Sequence, residues 1–124
     1  MAAPNIVNVT SIYGKTMGAA LGTNVNTDIL TNTAGSGKLL KINSIIVANV
    51  DGSNPCDTTV KFYDDSASTP YTLAATITVP ADSTLIVLGK DAPIYLEEGD
   101  KIRGGASAAS DLEIIISYEE LDDA

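Results

Sequence analysis

Between residues 71 and 79 the chain reads Tyr-Thr-Leu-Ala-Ala-Thr-Ile-Thr-Val, and this pattern constrains the fold more than any other feature. In an extended strand side chains alternate between two faces. Leu73, Ala75, Ile77 and Val79 then share one face, and Thr72, Ala74, Thr76 and Thr78 the other. The same period of two runs through 5–14, 38–50, 58–64 and 111–121, with shorter apolar or Thr-rich stretches at 27–33 and 83–89. The segment 100–107 is more polar and reads as an edge strand. Stretches rich in Asp, Ser, Gly and Pro separate these runs at 51–57, 64–70, 80–83, 90–93, 97–100 and 107–110. The only helix-like piece, Gly14 to Gly22, carries three glycines and reads as extended chain. About eight short strands at this spacing predict an all-β antiparallel sandwich, either a jelly roll or immunoglobulin-like.

A length of 124 residues fits one sandwich domain, with an extended N-terminal arm at about 1–12 and a short acidic tail at about 120–124 that is expected to fray. The formal net charge is −9. Nucleic acids and anionic membranes need a Lys/Arg footprint, so neither is expected as a partner. No stretch reaches the roughly 18 apolar residues of a membrane span. The opening Met1 to Thr10 lacks the basic and apolar regions of a secretory signal. A single cysteine, Cys56, has no partner for an internal disulfide and fits a reducing compartment.

Candidate chemistry fails residue by residue. Gly35-Ser36-Gly37-Lys38 has the outline of a phosphate-binding loop. The motif requires a glycine where Asn32 stands and a Ser or Thr where Leu39 stands, and it must open a helix rather than a strand. Ala34 to Gly37 therefore reads as a hairpin loop whose glycines accept positive φ. The chain has no histidine, which removes the usual general base for Ser or Cys hydrolysis. Acidic neighbours Asp51 and Asp57 disfavour a reactive Cys56 thiolate. One cysteine without histidine cannot build a zinc site. Asp51, Asn54, Asp57, Asp64 and Asp65 have calcium-ligand chemistry but no EF-hand spacing, and Asp is an ordinary turn residue. Glu97, Glu98, Asp100 and Glu113 could pair as glycosidase carboxylates, yet there is no Trp and one Phe to form a sugar platform. Five scattered tyrosines (Tyr13, Tyr63, Tyr71, Tyr95 and Tyr118) leave a carbohydrate-binding module as an alternative. No catalytic residue, metal site or cofactor is expected, and the chain reads as non-enzymatic.

What remains is an interaction protein. The N-terminal arm carries no charged side chain before Lys15, and a β-prone arm of this kind can add to the sheet of a neighbouring copy. Ile6, Val7, Val9 and Ile12 are the candidate partner-binding residues.

The stretch Ile94 to Leu121, with Leu-Glu-Glu-Gly-Asp at 96–100, Ser-Ala-Ala-Ser at 107–110 and Ile-Ser-Tyr-Glu-Glu at 116–120, resembles the C-terminal hairpin of small β-sandwich virion proteins of tailed bacteriophages. Residues 1–16 and 42–64 resemble the same group, notably in phages of cyanobacteria and other marine bacteria. The resemblance implies a capsid decoration (cement) protein, made in the bacterial host cytoplasm and located on the capsid exterior of the virion. Its implied partner is the major capsid protein of the same phage, with self-association as a homo-oligomer, a trimer. A tail, neck or fibre-associated role is the alternative within the same group.

Overall fold

The computed structural model describes Val7 and residues 9–122. Those residues form nine strands: β1 (Ser11–Ala20), β2 (Asp28–Thr31), β3 (Lys38–Asn49), β4 (Cys56–Asp64), β5 (Thr69–Val79), β6 (Thr84–Leu88), β7 (Ile94–Leu96), β8 (Lys101–Ala106) and β9 (Leu112–Asp122). They make two antiparallel sheets. One has the order β1-β9-β3-β6, with β7 also pairing β3; the other has the order β2-β8-β4-β5. We call them the long sheet and the short sheet. β6 and β7 lie along the same edge of β3 and act as one interrupted strand.

Nearly every connection crosses between the sheets, β4 to β5 being the within-sheet hairpin. This order is that of a jelly roll rather than an immunoglobulin sandwich, whose sheets contain several such hairpins. The core fills the space between the sheets. Ile42, Ile45, Val47, Ile114 and Ile116 of the long sheet meet Val60, Val79 and Ile102 of the short sheet, all fully buried. Apart from a register shift between Ile42 and Ser44, the long-sheet residues sit at alternate strand positions. The period of two read from sequence thus becomes one wall of the core.

Four expectations change. The alternation over 71–79 is broken in β5, whose pairing with β4 shifts register on both sides of Val60. Thr76 takes a left-handed φ of 49° and its N–H donates to Thr59 Oγ1 at 3.1 Å. The extra residues reverse the phase, so Ala74 and Val79 both point into the core while Leu73 and Ile77 remain exposed. Second, β8 is an interior strand between β2 and β4. It reads as polar because Lys101 and Arg103 point outward to Asp28, and it lacks apolar bulk because Gly105 must stay bare: a Cβ there would lie 2.7 Å from the backbone of Asn24 and Val25.

Third, the loop at Ala34 to Gly37 is a crossing from the short sheet to the long one, not a hairpin. Its glycines do adopt positive φ, 77° at Gly35 and 71° at Gly37. Fourth, β9 continues through Asp122, and Glu120 pairs with Lys15 at 3.2 Å and Lys38 at 3.3 Å. The expected acidic tail is thus strand as far as the description reaches.

Candidate functional site

The outer face of the long sheet is built from the positions that alternate with the core. On β9 the inward residues are Leu112, Ile114 and Ile116, so Glu113, Ile115, Ser117 and Glu119 face out. On β1, Met17 and Ala19 pack against the core, which turns Ile12, Gly14, Thr16, Gly18 and Ala20 outward. Register then aligns Gly18 with Ile115, Ile115 with Ile46, and Ile46 with Ile86. The result is one apolar row across four strands. Ile86 is 68% exposed and Ile115 37%. A shallow cavity lies beside Gly18, Ala20, Glu113 and Ile115, where the missing side chain of Gly18 leaves the sheet low.

The neighbouring rows are small or charge-balanced apart from Glu113, which aligns with Ala20 and Ala48. Thr16 and Ser117 place their hydroxyl oxygens 3.3 Å apart. Lys41 stands beside Glu119 at 3.9 Å. At the far end Ile12, Leu121 and Leu39 align, with the two leucines buried although they alternate with core residues, and Ile12 60% exposed.

Of the candidate partner-binding residues, Ile6 lies outside the described residues. Val7 is strongly exposed, Val9 is half-buried, and Ile12 belongs to β1 on the same outer face as Gly18 and Ile115. Sequence reasoning had passed over Ile46, Ile86 and Ile115. A signal was there. Ile45-Ile46-Val47, Ile114-Ile115-Ile116 and Leu85-Ile86-Val87 are unbroken apolar triplets, and the middle residue of such a triplet in a strand must face away from the core.

The outer face of the short sheet has the opposite character. Asp28 accepts from Arg103 Nε at 2.7 Å and from Lys101 Nζ at 3.2 Å. The Arg103 guanidinium lies 4.1 Å from the centroid of the Tyr63 ring, and Lys61 donates to Asn26 at 2.9 Å. Partial burial pushes the Asp28 carboxyl up, but its bonds to Arg103 and Lys101 outweigh this and hold it below the usual carboxylate range.

The acidic residues hold loops. Asp51, Asn54 and Asp57 lie toward one end of β4 and Asp64 and Asp65 at the other, roughly 20 Å apart at the strand rise. Asp51 Oδ1 accepts from Ser53 N at 2.8 Å, Asp57 Oδ1 from Thr78 Oγ1 at 2.7 Å, and Asp64 Oδ1 from Ser66 Oγ at 2.7 Å. Among the described residues no group of three or more Asp, Glu, Cys or His side chains is placed to hold a metal ion.

Glu97, Glu98 and Asp100 gather with Asp64 and Asp65 around one cavity, while Glu113 pairs with Ala48 at the opposite end of the long sheet. Buried Asp100 accepts from the N–H groups of Asp65 and Glu97, each at 3.0 Å, and Glu98 accepts from Gly37 N. Burial, opposed by those two bonds, raises the Asp100 carboxyl above its ordinary range. The exposed tyrosines Tyr13, Tyr71 and Tyr95 lie on three different strands, β1, β5 and β7, and form no common platform. Cys56 is buried, with Sγ 3.3 Å from Ser107 Oγ.

No protein-family model matches this chain, and no curated protein matches it. Among solved structures it is similar to a chain described in "Bacillus endospore appendages form a novel family of disulfide-linked pili". The two share 15% sequence identity, and the match covers 92% of this chain and 90% of that one with a TM-score of 0.51. At that identity the likeness concerns the fold, a β-sandwich shared over nearly the whole of both chains.

Proposed function

We propose that this chain is a non-enzymatic structural subunit that acts by binding other chains in a multi-copy assembly, and that the assembly is a bacteriophage virion whose capsid shell it decorates. One observation carries the first half: an apolar row spans the outer face of the long sheet in a strongly acidic protein. Contiguous apolar surface of this kind marks an interaction site. The virion half rests on the resemblance of residues 94–121, and on analogy from the jelly-roll fold, which recurs in viral capsids. A shell under internal pressure gains when a ligand binds only its assembled form, because that binding shifts the equilibrium toward assembly. Ile12, together with Val7, Val9 and Ile6 of the arm, is the proposed contact to the shell.

The test is co-sedimentation of the purified protein with empty expanded phage heads, counting bound copies. Saturable binding at a lattice stoichiometry is expected, and deletion of residues 1–12 should abolish it. Failure to bind heads, with migration on tails instead, would move the role to a tail or neck part.

The likeness to the pilus chain favours a second reading, a subunit of a filament. The disulfide linkage named for those pili has no counterpart here, because Cys56 is buried and is the chain's one cysteine. A filament of this chain would have to be held by apolar and strand contacts. Electron microscopy of the concentrated protein separates the readings: fibres support the filament, and their absence together with head binding supports decoration.

A further inference from the structure

We infer that the outer face of the long sheet pairs with the same face of a second copy of this chain, about a two-fold axis that runs along the strands between β9 and β3. The strand order β1-β9-β3-β6 makes this axis special. It places β9 over the partner's β3 and β1 over the partner's β6, with every row facing itself. Ile115 then meets Ile46 of the second copy. Glu119 meets its Lys41, and Lys41 its Glu119, so the charged row is complementary to itself. Ile86, the most exposed isoleucine of the row, projects toward the hollow left at Gly18.

Charge and area both point to a second copy. Two molecules of net charge −9 repel, so they can approach only through a nearly neutral surface. Among the described residues this face carries Lys41, Glu113 and Glu119 as its charged side chains. Four strands about 4.8 Å apart and about 30 Å long give a footprint on the order of 600 Å² per copy. Two such footprints reach the lower bound of specific, stable interfaces. Stacking of outer faces is ordinary sheet-on-sheet packing, the geometry that already joins the two sheets within one chain.

The test is a cysteine pair, Gly18→Cys with Ile86→Cys. Within one chain these positions are three strands apart, about 14 Å, too far for a disulfide. Across the proposed axis they face each other, and facing sheets in sandwiches do accept such a bond. Under mild oxidation the double variant should run as a covalent dimer on a non-reducing gel. Each single variant should remain at 12.8 kDa. A double variant that behaves like the singles overturns the inference, as does equal cross-linking by Ile86→Cys alone, which would mean another docking geometry.

Sedimentation equilibrium of the unaltered chain guards against a variant that misfolds: mass at twice 12.8 kDa is expected, and a monomer at every concentration, or an oligomer of another order, refutes the pairing. The pairing does not depend on the virion reading. A protein that binds heads yet stays monomeric would lose this inference and keep the other.

Discussion

The two outer faces of this sandwich obey the same alternation and end as opposite surfaces. On the short sheet the outward positions are Asp28, Lys61, Tyr63 and Arg103; Arg103 pairs with Asp28 and lies over the Tyr63 ring, and Lys61 donates to Asn26. On the long sheet the outward positions of the central row are Gly18, Ile46, Ile86 and Ile115. The first face meets water with paired charges around Asp28 and Arg103, although Leu73 and Ile77 stay exposed on its edge strand β5. The second leaves a row of isoleucine side chains at the solvent boundary, the kind of contiguous apolar surface that marks an interaction site. The difference lies in which residue types fill the positions that do not build the core.

The sharpest way to probe this contrast is inside one triplet. Ile114→Ala removes a fully buried side chain and should cost about 2–5 kcal/mol. Ile115→Ala, one residue on, removes a side chain that is already 37% exposed and should cost the dilute monomer only about 1–2 kcal/mol. Urea denaturation measures both, and similar losses would erase the distinction between the faces. A smaller effect is expected on the short sheet. Arg103→Ala loses the Asp28 pair and the Tyr63 ring, for about 1 kcal/mol after solvent screening. Lys41→Ala, at a 3.9 Å pair on the long sheet, should shift monomer stability by no more than a few tenths of a kcal/mol.

The smallest expected effect is a pH dependence. Asp28 has a lowered carboxyl, so its contribution is present above the ordinary value of 3.8 and is lost as pH falls through the lower folded value. Asp28→Asn should flatten the acid limb of the stability curve slightly. Asp100 works in the other sense. Its carboxyl is raised, so the folded state holds that proton more tightly, and its contribution is fullest below 3.8 and is lost as pH climbs through the raised value. Thermal melts at stepped pH, with and without Asp28→Asn, separate the two. An unchanged acid limb would mean that Asp28 is not held by Arg103 and Lys101.

The sandwich was legible because alternation is a local property. Runs such as Thr58, Val60 and Phe62, or Ile114 and Ile116, state which side is buried without reference to the rest of the chain. Three features depend on distant contacts and were not legible. The bulges of β5 are set by pairing with β4. The interior place of β8 depends on its pairing with β2 on one side and β4 on the other. Choosing jelly roll over immunoglobulin topology requires knowing which loops cross.

The candidate face lies between these cases. Its outward isoleucines are visible in three triplets, but their alignment into one row is a matter of register, and register between β9, β3 and β6 is not written in any one of them. The arm was found by its lack of charge, and of its four candidates the fold places Ile12 on the long sheet's outer face.

The most direct test of the contrast puts one charge on each outer face. Ile86→Glu and Thr72→Glu both alter exposed side chains on edge strands, the first on the long sheet and the second on the short sheet beside Lys61. Sedimentation equilibrium should give the Thr72→Glu protein twice the 12.8 kDa chain mass and the Ile86→Glu protein the single mass, both with unchanged β-sheet circular dichroism. If Ile86→Glu still sediments at twice the chain mass, or both variants dissociate alike, the long sheet's outer face is not where this protein meets its copies.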